Sequence, residues 1–168
     1  MQQFQSEIQA NAFRQVARIL LTQYGDQVEA NIQSAQLALE AGTAALDISV
    51  IPWRDDAIIR CSATLVVGSR IDGELLEFLL QENASMDFGA FELGERSSII
   101  FRANLLGSTA SERDIRAVVW TVISVADQYD DRIQARWGGL RAADRKKFAK
   151  VKVEAGTNDF DETIQFDS

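Results

Sequence analysis

The feature that most constrains the fold is a long alternation of apolar and polar residues, LDISVIPWRDDAIIRCSATLVV, spanning residues 46–67. Such alternation is typical of strands with one buried face, and the polar RDD in its middle predicts a hairpin. A loop from Arg54 to Ala57 would place Trp53 opposite Ile58. The pairs that follow on one face are all apolar: Val50 with Cys61, Ile48 with Ala63, and Leu46 with Leu65. We therefore expect an antiparallel sheet with one covered face.

Two amphipathic segments are suited to cover that face. Residues 4–24 form an apolar stripe at spacings of three and four and stop before Gly25, which predicts a helix. The segment DGELLEFLLQEN, residues 72–83, predicts a second helix with Asp72 as its N-cap and Asn83 as a left-handed stop. The expected buried positions are Phe4, Ile8, Ala12, Val16, Ile19 and Leu20 in the first helix and Leu75, Leu76, Leu79 and Leu80 in the second.

The clearest helix in the sequence is SERDIRAVVWTVISVADQYDDRI, which begins with Ser111 as an N-cap and ends at Gly138 and Gly139. Its apolar stripe comprises Ile115, Val118, Val119, Val122, Ile123, Ala126, Tyr129 and Ile133. Trp120 falls off this stripe, so it belongs either to a second layer of core or to a contact with a partner, and we expect core. A helix of this kind is expected to lie on the sheet.

The remaining strands are less clearly marked. Residues 28–40 could continue a helix, but the glycine turn in EAGT favours a strand from about residue 35, with Leu37 and Leu39 on one face. FGAFEL and the strand after GERSS predict a second hairpin. Its expected pairs are Leu93 with Ile99, Phe91 with Phe101 and Gly89 with Ala103. The predicted fold is α+β, an antiparallel sheet of about five strands with three helices in the order α-β-β-β-α-β-β-α.

Composition excludes several classes of function. The net charge is −8 and the isoelectric point is near 4.6, so the chain lacks the broad basic surface that nucleic acids or anionic lipids require. Without any histidine there is no Ser/His or Cys/His pair and no HExxH zinc site. The glycine-rich phosphate-binding loops are missing as well. We expect no cofactor, no catalytic residue and no nucleic-acid partner.

Carboxylates are the remaining source of chemistry. Asp55 with Asp56 and Asp130 with Asp131 could bind a hard cation, but neighbouring side chains diverge and Ca²⁺ prefers six or more oxygens. We interpret both pairs as solvated surface and predict no metal site. The single cysteine, Cys61, lies in an apolar strand and is expected to be a buried structural thiol. No apolar run is long enough for membrane insertion, no secretion signal is apparent, and we expect a cytoplasmic protein.

The C-terminal part of the sequence differs in composition. RAADRKKFAKVKV is basic and EAGTNDFDETIQFDS is acidic, and neither has enough periodic apolar surface to fold alone. We expect one domain at residues 1–137 and a tail at 138–168 that is partly helical or disordered. The alternative is a docking segment in which Phe160, Ile164 and Phe166 engage a neighbour or the chain's own sheet.

Between about residues 15 and 140 the chain resembles the YbjN family, in its cyanobacterial type, and more distantly the type III secretion chaperones. The resemblance rests on DISVIPW, NASMDFGAFEL, IIFRANLLGSTASERDI and, above all, VADQYDDRIQARWGG. It implies an antiparallel sheet with helices packed on it, which agrees with the pairing derived above. It also implies a non-enzymatic protein, commonly dimeric, that holds extended segments of client proteins.

On such a protein the binding surface would be an open sheet edge or the apolar end of the outer sheet face. The expected contact residues are Ile51, Trp53, Ile58 and Ile100, with Arg60 and Arg102 as donors to acidic clients. The same residues would also suit a homodimer interface or a face covered by the first helix. Two other functional classes remain open at this point: a regulatory or structural adaptor with one defined partner, and an enzyme that uses carboxylates in a cleft.

Overall fold

The three α-helices in the described part of this protein lie on one side of a single antiparallel sheet. The computed structural model describes residues 4–142 and residue 144. Its helices are α1 (Glu7–Tyr24), α2 (Gly73–Ser85) and α3 (Glu112–Trp137). Its strands are β1 (Val28–Asn31), β2 (Gln36–Ala41), β3 (Ala44–Trp53), β4 (Asp56–Val67), β5 (Ala90–Gly94), β6 (Ser98–Leu106) and β7 (Leu140–Arg141).

The strands are ordered β1-β2-β3-β4-β6-β5 across the sheet, and β7 pairs with the end of β4 at Val66 and Val67. The α+β class and the three helices are confirmed, whereas the described residues form seven strands in place of the expected five or so. The additional strands are the short β1 and β7, of four and two residues. Such short segments carry too little alternation to be recognised in a sequence.

The two hairpins differ in how well the sequence predicted them. In β5 and β6 the pairs Phe91 with Phe101 and Leu93 with Ile99 are confirmed. In β3 and β4 the predicted register is wrong by two residues, because Trp53 pairs with Asp56 across a two-residue turn and Ile51 faces Ile58. A shift of two residues leaves every side chain on its original face. The apolar face therefore points into the core as expected.

The core lies between this face and the helices. On α1, Ala12, Val16, Ile19 and Leu20 are buried as predicted. Ile8 is half-buried, as is Phe4, which precedes the helix. The predicted stripe of α3 is buried except for Ile123, which is half-buried. The helix starts at a complete capping box, since the Ser111 hydroxyl accepts from the Asp114 amide and the Asp114 carboxylate accepts from Ser111. These two helices cover the central strands.

The expectations for four side chains are wrong. Leu76 and Leu80 of α2 are exposed. This helix lies at the edge of the helix layer and buries only Leu75 and Leu79, which are one helical turn apart. Trp120 is 67% exposed on the outer side of α3 and belongs to no second layer of core. Asn83 does not stop α2, which continues to Ser85.

Candidate functional site

The side of the sheet opposite the helices is the candidate site, and we call it the open face. No helix in the described part of the chain covers it, and its side chains are half-buried or exposed. Directly paired residues of neighbouring strands share a face, so the strand pairing shows which side chains lie side by side in rows across the open face. On β3, β4 and β6 these are Ile51, Ile58 and Leu106; Ser49, Arg60 and Asn104; and Asp47, Ser62 and Arg102, followed by Thr64 with Ile100.

One end of the open face is apolar. Ile58 is paired with Ile51 on one side and with Leu106 on the other, which gives three adjacent aliphatic side chains. Trp53 extends this group at the hairpin end, is 42% exposed and has the Arg54 guanidinium 4.9 Å from its ring centroid. The sequence reasoning missed Leu106, although its two-residue spacing from Ile100 through Arg102 and Asn104 places it on this face. We call these four residues, Ile51, Trp53, Ile58 and Leu106, the apolar end.

The other expected contact residues lie on the same face but not in the same patch. Ile100 shares its row with Thr64, six residues along β4 from Ile58, which corresponds to about 20 Å. Arg60 and Arg102 lie between the two. The structure thus brings Ile51, Trp53 and Ile58 together and separates Ile100 from them by a polar band.

The two arginines of this band differ in their partners. Arg102 forms a salt bridge with Glu92, with 2.6 Å between Nη2 and Oε1. Arg60 has no ion pair within the described residues. In both, the Nε atom is buried without a hydrogen-bond partner in the described part of the chain. A buried N–H group without an acceptor is unfavourable. Both side chains are half-buried as a whole, so the accessible N–H groups of the two guanidinium groups can donate to a carboxylate or carbonyl oxygen.

A polar groove of about 310 Å³ crosses the first three strands on the open face. At its centre Ala38 lies between Glu29 and Asp47, its direct partners on β1 and β3. A second depression of about 510 Å³ continues to the sheet corner and is lined by Asp26, Gln27, Glu29, Ala38, Glu40 and Gly42. We call the two together the acidic groove. Sequence reasoning missed it because its carboxylates come from separate strands.

The β5 edge of the sheet is partly closed by a side chain. The Asn83 carboxamide oxygen accepts from the Phe91 amide at 2.6 Å, and its amide nitrogen donates to the Phe91 carbonyl at 3.1 Å. Asn83 thus takes the place of a strand partner at the edge that Phe91 presents. Strand addition at this position would have to displace Asn83.

In the two aspartate pairs, the side chains of Asp56, Asp130 and Asp131 are hydrogen-bonded, buried or ion-paired within the protein. Asp56 accepts from the backbone amides of Ala57 and Ser108 and from the Ser108 hydroxyl, and these hydrogen bonds lower its pKa. Asp131 pairs with Arg141. The interpretation as solvated surface is wrong for Asp130, which is buried on α3, away from the open face, and burial raises its pKa. Among the described residues, no group of three or more His, Cys, Asp or Glu side chains is arranged to hold a metal.

Burial raises the pKa of the Cys61 thiol to about 12, which keeps it protonated on the covered side of the sheet. Within the same described residues, no helix is both long enough and apolar enough to span a membrane.

The open face therefore offers aliphatic contacts, arginine donors and a carboxylate-lined groove. These groups are suited to binding a chain.

Comparison with known proteins identifies both a family and a fold. The family model described as TY-Chap1, T3SS (YopN, CesT) and YbjN peptide-binding chaperone 1, matches residues 11–145. The crystal structure of the ExsC-ExsE complex contains a chain that is similar to this one, with a TM-score of 0.58 and 12% sequence identity. That match covers 76% of this chain and 97% of the other. No curated protein matches the sequence. The structural likeness establishes a shared fold.

Proposed function

The chain belongs to the family of T3SS and YbjN peptide-binding chaperones, and on this premise we propose that its open face holds extended segments of client proteins. The observation that carries the proposal is an uncovered sheet face with an aliphatic cluster at one end. In this proposal the activity is binding, without a catalytic step. A family described by peptide binding and a face that offers contacts rather than reactive groups both support it.

The proposed contacts divide by chemistry. Ile51, Trp53, Ile58 and Leu106 bind apolar side chains of the client, because removing exposed apolar area from water is favourable. Arg60 and Arg102 donate to carbonyl or carboxylate oxygens, and Ile100 contacts the far end of the segment. An extended chain rises about 3.3 Å per residue, so the distance from Ile58 to Ile100 corresponds to roughly six client residues.

The test measures the affinity for unfolded segments. Fluorescein-labelled peptides of a reduced, carboxymethylated protein are titrated with the wild type and with a Trp53→Asp, Leu106→Asp double variant, using fluorescence anisotropy. Both residues are exposed, so the double variant is expected to fold, which circular dichroism checks. We expect at least about a tenfold loss of affinity, since two desolvated apolar contacts are replaced by charges.

Trp120→Asp is the control, because Trp120 is also an exposed tryptophan, at 67% against 42% for Trp53, but lies on the helix side. It should bind peptides like the wild type. Equal loss in the control and in the double variant would contradict the assignment of the open face. If the protein binds no peptide mixture and retains a single cellular partner in both variants, the adaptor function is the correct one.

The quaternary structure and location belong to the same proposal. We propose a homodimer, supported by the large apolar side chains that α2 and the β5 region expose, namely Leu76, Leu80, Phe88 and Leu93. We also propose that the protein acts in the cytoplasm, where a buried thiol such as Cys61 stays reduced. The proposed tail at 138–168, including Phe160, Ile164 and Phe166, lies mostly outside the described residues.

A further inference from the structure

We propose that the acidic groove is the docking site of the chain's own basic segment, residues 145–153. This occupant is distinct from a client and lies away from the apolar end. The groove belongs to an uncovered sheet face, and the segment begins directly after the last described residue. The proposal therefore concerns an intramolecular interaction and does not depend on client binding.

Charge complementarity is the first argument. The segment RKKFAKVKV contains five cations, Arg145, Lys146, Lys147, Lys150 and Lys152, in an otherwise acidic protein. The groove presents Asp26, Glu29, Glu40 and Asp47 from separate elements. Glu29 and Asp47 form no ion pair with any described residue. Single exposed ion pairs are weak, but several pairs in one groove act together.

The position at which the described chain ends is the second argument. β6 pairs with Val66 on one side of β4, so β7 occupies the other side, beyond the start of β3. The chain therefore leaves the sheet beside the turn at Gly42, which lines the corner of the acidic groove. Arg141 holds this exit in place through Asp144, with Nε to Oδ2 at 2.7 Å and Nη2 to Oδ1 at 2.9 Å.

The length of the segment satisfies the geometry. Ala38 lies two strands from β4, or about 10 Å at the usual strand spacing. Ala38 shares its row with Asp47 and Ser62, and Ser62 lies four residues along β4 from Val66, which is about 13 Å. From Asp144, the last described residue, the five residues to Ala149 can extend to about 17 Å, which is about the separation across this rectangle. A short tether also gives the segment a local concentration of about millimolar, so weak contacts suffice.

Disulfide trapping tests the proposal in the full-length protein. The variant Ala38→Cys, Ala149→Cys places one thiol on the groove floor, where Ala38 is exposed, and one in the basic segment. Cys61 does not interfere because it is buried and its thiol stays protonated. The control is Gln128→Cys, Ala149→Cys. Gln128 is exposed on α3 within one turn of Asp131, the partner of Arg141, and is thus also within reach.

We expect the Ala38 pair to form an intramolecular disulfide about tenfold faster than the Gln128 pair at about 0.05 M salt, with convergence of the two rates at about 0.5 M. Adding Glu29→Gln and Asp47→Asn to the Ala38 pair should slow its reaction to the control rate. Equal rates for the two pairs at low salt would overturn the proposal. A covalent dimer in place of the internal bond would assign the groove to the segment of a second copy, and would overturn it too. A rate that ignores the Glu29→Gln, Asp47→Asn change would exclude the charged groove as the site.

Discussion

At the scale of single residues, Asn83 shows how a side chain limits association at a sheet edge. An edge strand exposes N–H and C=O groups that can pair with another chain. Asn83 hydrogen-bonds both such groups of Phe91. Its position near a helix end predicted a stop, but the residue it serves is eight positions further along the chain. A contact of this kind depends on how α2 lies against β5, which local sequence does not encode.

Cys61 provides a residue-scale prediction with a defined pH dependence. Its pKa is raised from 9.0 to about 12 by burial, with a further contribution from the Asp47 charge. Between these values the unfolded chain loses the thiol proton while the folded protein keeps it, so the unfolded state binds fewer protons. The free energy of unfolding should therefore fall as pH rises from 9, by up to about 1.4 kcal/mol per pH unit.

Urea denaturation at pH 8, 9 and 10 measures this effect, with Cys61→Ala as the control. The wild type should lose more stability than the control over this range, after the general effect of alkaline pH is subtracted through Cys61→Ala. Native protein should also react with iodoacetamide only as fast as it unfolds. Parallel stability curves for the two proteins would contradict the prediction.

At the scale of elements, the two hairpins show what alternation can and cannot predict. Alternation fixes which side chains face the core, and those faces were predicted in both hairpins. It does not distinguish registers that differ by two residues, because the side-chain period is two. Between β5 and β6, the expectation that Phe91 lies opposite Phe101 was enough to predict the register. Between β3 and β4, both registers pair apolar residues, and Arg54 adopts a positive φ of 52° that no glycine or asparagine signals.

Gly89, which leads into β5, carries an element-scale prediction. At its φ of +78°, a Cβ would lie 2.6 Å from the Arg102 carbonyl oxygen and 2.8 Å from Cζ of Phe101. Gly42 has a similar φ of +61° with nothing within 4 Å of a Cβ, so Gly42→Ala isolates the conformational cost of about 1 to 2 kcal/mol. Gly89→Ala should cost at least about 1 kcal/mol more, through the displaced β6.

Chemical denaturation of both variants measures this difference. The glycine was expected to pair with Ala103 within the strand, but it precedes β5 and leaves room for the Phe101 ring. Equal losses for Gly42→Ala and Gly89→Ala would show that β6 moves without cost.

The contact between the β5–β6 hairpin and α3 carries a second element-scale prediction. The ring centroid of Phe91 lies 5.1 Å from that of Phe101 and 5.0 Å from that of Tyr129. Val119 is buried on α3. Phe91→Ala and Val119→Ala should each lower the free energy of unfolding by about 2 to 5 kcal/mol. Trp120→Ala, at the next position on α3 but exposed, should cost under about 0.5 kcal/mol. Losses below about 0.5 kcal/mol at both buried sites would contradict the packing described here.

At the scale of the whole molecule, the sequence predicted the layers better than the site. All six predicted contact residues lie on the open face, because alternation assigns faces. Their division into an apolar end and a separate Ile100 depends on strand length and register, which were predicted less well. The acidic groove was missed entirely, since Glu29 comes from the unrecognised β1 and meets Asp47 only through the three-strand pairing.

The proposed homodimer is a property of the whole molecule, and it follows from where apolar area stays exposed. α2 directs Leu76 and Leu80 outward, and Phe88 and Leu93 lie exposed beside the same sheet edge. Burying such residues against a second copy removes apolar surface from water, whereas one aspartate among them would leave a desolvated charge. Leu80, at 69% exposure, makes no core contact that its replacement would break.

We therefore expect the wild type to be dimeric at about 50 μM and Leu80→Asp to be monomeric, with the dissociation constant of the dimer raised at least about a hundredfold, because an unpaired charge in an interface costs several kcal/mol. Light scattering coupled to gel filtration distinguishes the two masses. Leu21→Asp, an exposed leucine on α1, is the matched control and should remain dimeric. If Leu80→Asp stays dimeric while Trp53→Asp, Leu106→Asp is monomeric, the interface lies on the open face. In that case the open face binds a second copy, and the client must bind at another surface.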